Sequence, residues 1–208
     1  IADDAFDRLY WTGQTFPRMA SSTQITTGGS GAFPRSSFRL GIEAPAATPA
    51  AANPTGTDDG TQVKYSTAYV YTFVSAFGEE GPPSSPSNVV TKVDGQSVVV
   101  SNLSTAAAKS NTNYGSGVGT KRIYRSNTGS NTTDFQFVAE VTMATTSFTD
   151  TANNDALGEV IPSTFWIAPP DDDSTLYPNG QMKGLTAIGN GIFAGFSGKR
   201  LCFSEPFL

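Results

Sequence analysis

The sequence predicts an all-β protein built around a β-sandwich. Hydrophobic residues make up 38% of the 208 residues and charged residues 15%, and the chain holds 21 Gly and 13 Pro. This composition favours short strands joined by turns over helices. No stretch with helical periodicity extends beyond about two turns. The clearest strand is in residues 69–87, YVYTFVSAFGEEGPPSSPS.

Residues 69–87 combine an aromatic strand, an acidic glycine turn and a proline-rich exit. The strand residues are mostly apolar on both faces, which predicts packing on two sides. Glu79 and Glu80 are expected to be solvated in the turn. Prolines have no N–H to donate, so we expect 82–87 to form an extended edge. This succession is typical of a fibronectin-III-like or immunoglobulin-like sandwich.

Composition divides the chain into five segments. Residues 43–60 are rich in Ala, Pro, Thr, Asn, Asp and Gly and contain no aromatic residue, which is typical of a linker or surface loop. The expected domains are an N-terminal β flank (1–42), a linker (43–61), the sandwich (62–160), an irregular connection (161–183) and a C-terminal β-meander flank (184–208).

Two patterns organise the sandwich. Asp94-Gly95 lies between apolar runs and predicts a hairpin. Residues 134–143, DFQFVAEVTM, alternate in polarity, which predicts that Phe137 lies in the sandwich core and that Glu140 faces outward.

The two flanks resemble each other. Residues 7–12, DRLYWT, and 199–204, KRLCFS, share a pattern, and 184–205 reads as an up-and-down meander with glycine turns. Short recurring meanders are the signature of propeller blades. We expect the flanks to pack together in one β unit from which the inserted sandwich projects. That unit should bury together Leu9, Trp11, Ile188, Phe193 and Leu201.

Charge and composition exclude several function classes. The net charge of −5 argues against nucleic acid and anionic membranes as partners. No run of 18 apolar residues is present to span a bilayer. The lack of histidine removes His-based catalytic and metal sites. The chain starts at Ile1 and stops directly after an apparent strand, so we expect a piece of a longer polypeptide.

Candidate chemical groups are few, and each has a simpler structural interpretation. Cys202, the only cysteine, is expected to be a packed thiol, and the glycine run 115–119 a flexible loop. The run 171–173 offers oxygen ligands for Ca²⁺ but is expected to be a solvated acidic loop. Asn102 and Asn131 fit the N-glycosylation pattern, which chance explains. Several carboxylates could pair for glycoside hydrolysis, although we expect them to be solvated in turns and loops. They are Glu79, Glu80, Asp150, Asp155 and Asp171 to Asp173.

Aromatic residues offer one binding hypothesis. Those that could line a sugar-binding surface are Trp11, Trp166, Tyr65, Tyr114 and Tyr177. Those expected in the core are Tyr69, Tyr71, Phe135 and Phe137. We predict no catalytic, cofactor-binding or metal-binding residue.

The chain resembles known phage proteins in two places. Residues 67–87, 93–103, 121–129, 135–141 and 146–151 resemble fibronectin-III-like domains of bacteriophage virion proteins. The flanks DRLYWTGQTFPRM and GLTAIGNGIFAGFSGKRLCFSEPFL are similar to segments of phage tail nozzle proteins, the tail tubular protein B family. The resemblance implies a β-propeller-based, ring-forming structural protein at the end of a DNA channel. The blade-like strands present here are too few to build a complete propeller.

Three functions therefore compete. The first is a non-enzymatic structural protein of the phage virion, in the tail nozzle region. Its expected partners are other virion proteins and further copies in a ring, with phage DNA passing unbound. The second is an adhesin or carbohydrate-binding sandwich module, which an exposed aromatic patch would favour. The third is a glycosidase, which needs two facing carboxylates about 5–10 Å apart.

Overall fold

The protein is all-β, as the sequence predicts. A computed structural model describes residues 7–27, 33–115, 117–128 and 133–205, with 38% of residues in strands and 4% in helices. The strands form small antiparallel sheets. The immunoglobulin-like or fibronectin-III-like topology stays a prediction.

Strands lie along both ends and the middle of the chain. Their bounds are β1 (Arg8–Trp11), β2 (Arg18–Ser21), β3 (Phe38–Arg39), β4 (Ala50–Ala51), β5 (Tyr65–Thr67), β6 (Tyr69–Val74), β7 (Val90–Lys92), β8 (Val98–Ser101), β9 (Thr120–Thr128), β10 (Thr133–Thr142), β11 (Phe148–Asp150), β12 (Lys183–Ile188), β13 (Ile192–Ser197) and β14 (Arg200–Phe203). Helix α1 covers Ser22–Thr26, and a 3₁₀ turn covers Asn154–Ala156.

The chain divides into two compact units. The first contains Ile1–Gly41, Ser110–Thr112 and Ala168–Leu208, and the second contains Ile42–Lys109 and Asn113–Ile167. The five-segment division of the sequence analysis, and the projection of a sandwich from the flanks, stay predictions.

The first unit holds two three-stranded sheets, ordered β1-β2-β3 and β12-β13-β14. The predicted C-terminal meander is present. Asn190 and Gly191 turn the chain between β12 and β13 with φ values of +61° and +70°. Three residues, Gly189 to Gly191, connect the register partners Ile188 and Ile192, so this hairpin loop is one residue longer than a two-residue turn.

The two flanks meet within the first unit. The Tyr10 and Phe193 ring centroids lie 4.8 Å apart, and the Gln181 amide donates to the Gln14 carbonyl at 3.2 Å. The expected shared core is wrong, however, because Leu9, Ile188 and Leu201 are exposed.

Short regular elements also lie outside the predicted strands, one of them in the predicted linker. After β2, Ser21 and Gln24 cap α1 reciprocally, because the Ser21 hydroxyl accepts from Gln24 N and the Gln24 side-chain carbonyl accepts from Ser21 N. In the predicted linker, β4 pairs with β8, and the Asn88 side chain bonds both N and O of Ala51.

The second unit surrounds a main apolar core. The sheets β10-β9-β6 and β11-β8-β4 both contribute buried side chains to it, with β7 adding Val90. Every residue of β6 is buried, as its two apolar faces predict. Beside β6, Ser84 N and Ser87 N donate to the carbonyls of Tyr71 and Tyr69 at 2.9 and 2.8 Å. The proline-rich segment therefore runs along β6, and its non-proline residues donate the hydrogen bonds.

The predicted Asp94-Gly95 hairpin is wrong. The turn is tight, since Gln96 N donates to Val93 O at 3.2 Å. However, β7 pairs with β5, whereas β8 pairs with β4 and β11. Val93 and Val98 are both fully buried, so apolar burial draws the two strands into different sheets.

The predicted position of Phe137 is also wrong. The β9–β10 register shifts between Phe137 and Ala139, which is a β-bulge. A bulge reverses the side-chain alternation that follows it. Met143 and Val141 therefore pack on the main core, whereas Phe137 is half-buried beside Val70 and Tyr124 in a second cluster.

Candidate functional site

The acidic turn after β6 is a closed ionic network and not a solvated loop. The Glu80 carboxylate is buried and accepts hydrogen bonds from the hydroxyls of Thr72 (2.7 Å) and Tyr124 (2.6 Å). Arg122 Nη1 donates to it at 2.9 Å, and Arg122 Nε donates to the exposed Glu140 at 3.0 Å. Burial, and then the bond to Glu80, raise the pKa of Tyr124 well above its ordinary value.

Asp150 forms a second network inside the main core. Its side chain is 0% exposed and accepts from Arg125 Nη1 at 2.6 Å, where the Arg125 side chain is 1% exposed. The Tyr69 hydroxyl donates to the same oxygen, Oδ2, at 2.7 Å, and Ala152 N donates to Oδ1 at 2.9 Å. Burial and the Asp150 charge raise the pKa of Tyr69 far above its ordinary value. Asp150 thus balances a buried guanidinium.

Two buried lysines have only carbonyl partners among the hydrogen bonds described. Lys92 Nζ donates to Ala152 O at 2.8 Å, beside Arg125 Nη1, which donates to the same oxygen at 2.9 Å. Burial, and then the Arg125 charge, lower the pKa of Lys92. Lys121 Nζ donates to the carbonyls of Ser104 and Thr145, and burial lowers its pKa to about 8.

These buried cations were not predicted from the sequence. The signal was present in β9, because Lys121, Ile123 and Arg125 alternate on one face and all are fully buried. Ile123 is the apolar residue of that face and identifies it as the side that packs on the core. Charged residues at core positions of a strand therefore indicated a buried network.

The acidic run 171–173 belongs to the first unit and is not a solvated loop. Arg39 Nη1 contacts Asp171 Oδ2 at 3.2 Å and Asp172 Oδ1 at 2.7 Å. Its guanidinium also lies 3.7 Å from the centroid of the Phe16 ring, a cation–π contact. This run therefore neutralises a buried arginine. No group of three or more potential metal ligands occurs within the ranges that the structure describes.

The other candidate residues lie apart. Cys202 is a half-buried free thiol on β14, and Asp155 is exposed in the 3₁₀ turn. Asn102 is exposed and donates through its amide to Thr48 O at 2.8 Å. The glycine run 115–119 is described without residue 116, and Asn131 lies outside the described residues.

The predicted sugar-binding aromatics are divided between the two units, with Trp11 and Tyr177 in the first and the other three in the second. Tyr114 is buried, stacks on Phe73 at 5.5 Å and accepts from Glu43 N at 2.9 Å. Tyr177 donates to Ala168 O at 2.7 Å, which ties it to its own loop. Trp11 and Trp166 are half-buried. Tyr65 lines a pocket in the second unit.

The meander of the first unit presents an apolar face to solvent. By register, Ile188 lies opposite Ile192, and Phe196 lies opposite Leu201, with Phe203 two residues further on. We call Ile188, Phe196, Leu201 and Phe203 the outer meander face. Their exposed fractions are 44%, 43%, 75% and 63%. The opposite face carries Phe193, which contacts Tyr10, so the sheet is apolar on both sides.

Comparisons with protein-family models, with curated proteins and with solved structures found no match. In the described part of the chain, no helix has both the length and the apolar character needed to cross a membrane.

Proposed function

We propose that this chain is a non-enzymatic structural component of a bacteriophage virion, in the tail nozzle region, and that it acts through protein–protein assembly. Its partners are other virion structural proteins and further copies of itself in a ring. The resemblance of both flanks to tail nozzle proteins suggests the place in the virion.

The outer meander face carries this proposal. An antiparallel sheet with one face on solvent ordinarily shows polar residues there. Here that face presents Ile188, Phe196, Leu201 and Phe203, all more than 40% exposed. Contiguous exposed apolar groups of this kind mark interaction surfaces.

Burying this face in a contact would contribute favourable free energy to assembly. Full burial of a Leu or Phe side chain is worth about 1.5–3 kcal/mol, so the exposed parts of Leu201 and Phe203 would together contribute roughly 2–4 kcal/mol. Burial of Ile188 and Phe196 would add to this.

Charge supports the passage of DNA without binding. The chain has a net charge of −5, and like charges repel the phosphate backbone. A channel lined by such a protein would let DNA slide.

Two measurements test the proposal. Mass spectrometry of purified particles of the phage that encodes this chain should detect it, and antibody labelling should place it at the tail. Absence from purified particles would overturn the virion assignment.

The assembly surface is tested separately in solution by sedimentation equilibrium. The wild-type chain should associate, and Leu201→Glu should weaken that association. Val89→Glu is the matched control, since Val89 is 65% exposed but belongs to the other unit. Equal association of both variants would exclude the outer meander face as the contact.

A further inference from the structure

The outer meander face is basic as well as apolar. Residues 183–204 include three basic residues, Lys183, Lys199 and Arg200, and no acidic residue, although the whole chain has a net charge of −5. All three are exposed, and none of them forms an ion pair with another residue that the structure describes. By register Lys183 lies opposite Phe196, which places it on the outer meander face itself. The apolar surface therefore lies within a strongly basic stretch of an acidic chain.

This charge argues against a contact between two copies of the same face. Two outer meander faces that met would bring together three basic side chains from each copy, with no acidic residue of either meander between them. Like charges placed against each other across an interface disfavour association. The surface that covers the outer meander face should therefore be apolar, acidic and different from it.

The segment of residues 159–167 in the second unit has both properties. Phe165 and Ile167 are 90% and 80% exposed, the highest fractions among the large apolar side chains that the structure describes. Residues 151–167 contain two acidic residues, Asp155 and Glu159, and no basic residue. Both carboxylates are exposed, and neither pairs with a cation in the described part of the chain.

The start of this segment is fixed to the second unit. Ile161 N donates to Phe135 O at 2.8 Å, and the Ile161 side chain is buried in the cluster that contains Val70. Phe165 and Ile167 follow in a stretch without strand or helix. Two large apolar side chains left in water beside each other are typical of a surface that packs against a partner.

The two surfaces are of similar size. A large side chain presents roughly 150–200 Å² when fully exposed. With the exposed fractions found here, the outer meander face presents about 350–450 Å² of side chain, and Phe165 with Ile167 presents about 250–350 Å². One side of a standard interface buries about 800 Å², of which somewhat more than half is apolar. Each surface therefore supplies a large part of the apolar area that one side of a stable contact needs.

We propose that the outer meander face of one copy binds the 159–167 segment of the next copy. Phe165 and Ile167 cover the apolar face, and the acidic residues of the segment face the basic residues of the meander. Because the two surfaces differ, the contact is head-to-tail, and repeated head-to-tail contacts close into a ring or extend into a filament. This inference rests on the proposed assembly through the outer meander face and names the surface that meets it.

Mixing two variants of the whole chain tests this contact. Leu201→Glu damages the outer meander face, and the double variant Phe165→Ser with Ile167→Ser damages the segment at positions too exposed to disturb folding. In sedimentation velocity the wild type should form species larger than two chains, and each variant alone should be monomeric. An equimolar mixture of the variants should form a species of two chains, because one intact face and one intact segment remain.

Salt gives a second readout. Salt screens the attraction between opposite charges, so wild-type association should weaken several-fold between about 20 mM and about 500 mM NaCl. A contact between two basic faces would strengthen instead. Val89→Ser is the control, since Val89 is 65% exposed but lies outside both surfaces, and it should associate as the wild type does.

Several results would overturn the head-to-tail contact. They are a mixture of the variants that stays monomeric, association that strengthens with salt, and a segment variant that still associates on its own, which would mean that two outer meander faces meet. A wild-type chain that stays monomeric, or Leu201→Glu that associates as the wild type does, would overturn it as well. Detection of the chain in purified particles would still leave the virion assignment standing, so the two failures are distinguishable.

Discussion

Replacing Asp150 should remove a large part of the stability of the second unit. Asp150→Asn keeps the shape of the side chain but removes its charge. The Arg125 guanidinium, 1% exposed, would then stay buried without a counter-ion. The Tyr69 hydroxyl, which donates to Asp150 at 2.7 Å, would lose its charged acceptor.

The expected loss follows from this geometry. Removing one partner of a buried ion pair costs about 3–5 kcal/mol, because the remaining charge is uncompensated. A typical domain has only about 5–15 kcal/mol of unfolding free energy. Asp150→Asn should therefore cost about 3–5 kcal/mol, and Asp150→Ala at least as much because it also leaves a cavity.

Urea unfolding followed by near-ultraviolet circular dichroism measures this loss, since Tyr69, Tyr71 and Tyr124 are packed in the second unit. With a slope of about 2 kcal/mol per molar urea, the midpoint should fall by about 1.5–2.5 M. The matched control is Glu140→Ala, which breaks the more exposed pair with Arg122 at 3.0 Å. It should cost less than about 1 kcal/mol.

A loss of unfolding free energy for Asp150→Asn no larger than that for Glu140→Ala would contradict this prediction. That result would mean that water or another group compensates Arg125, and that the buried pair does not hold β9 to β11. A double-mutant cycle with Tyr69→Phe would then show whether the hydroxyl bond alone remained.

Four more substitutions test the second unit. Gly78 has a φ of +80° with open space around it, so Gly78→Ala should lower the unfolding free energy by about 1–2 kcal/mol. Gly119→Ala should lower it by about 1–3 kcal/mol more, because the added β-carbon would meet Val74 O. Equal losses for the two variants in urea unfolding would contradict this. Phe137→Ala should lower the unfolding free energy by roughly 1–3 kcal/mol, since the Phe137 ring is half-buried. A loss above about 4 kcal/mol in a thermal melt would place Phe137 in the main core. Burial lowers the pKa of Lys121 to about 8. Between about pH 8 and pH 10 the unfolded chain therefore binds more protons than the folded chain, so the unfolding free energy should rise with pH. Lys121→Met should flatten this rise. A Lys121→Met profile parallel to wild type would show that Lys121 does not titrate.

Local patterns predicted the elements that depend on local forces. The β12–β14 meander follows from short apolar runs separated by turn residues, because positive φ at Asn190-Gly191 is a property of the turn itself. The burial of β6 follows from its two apolar faces. The assembly surface was only partly predictable, since the sequence shows apolar residues on the meander but not which of its faces is covered.

Elements that depend on distant partners could not be predicted in the same way. Asp94-Gly95 forms its turn, but the pairing of β7 and β8 depends on strands elsewhere in the chain. The bulge in β10 turns Phe137 away from the main core, and the apolar run Phe137-Val138-Ala139, which interrupts the alternation there, does not specify on which side of Val138 the faces exchange. The contact between β5 and the end of β9, where the Thr67 hydroxyl donates to Ser126 O, likewise joins residues about sixty positions apart.

The sequence by itself determined the all-β class, the strand–turn rhythm and the apolar content of each face, because these follow from backbone propensity and period-2 alternation. The tertiary structure decided the state of the charges. Asp150, Glu80 and Asp171 read as solvated acids in turns, yet each meets an arginine brought from far along the chain. The cost of burying a charge is met only by a partner in space, and sequence patterns do not specify that partner.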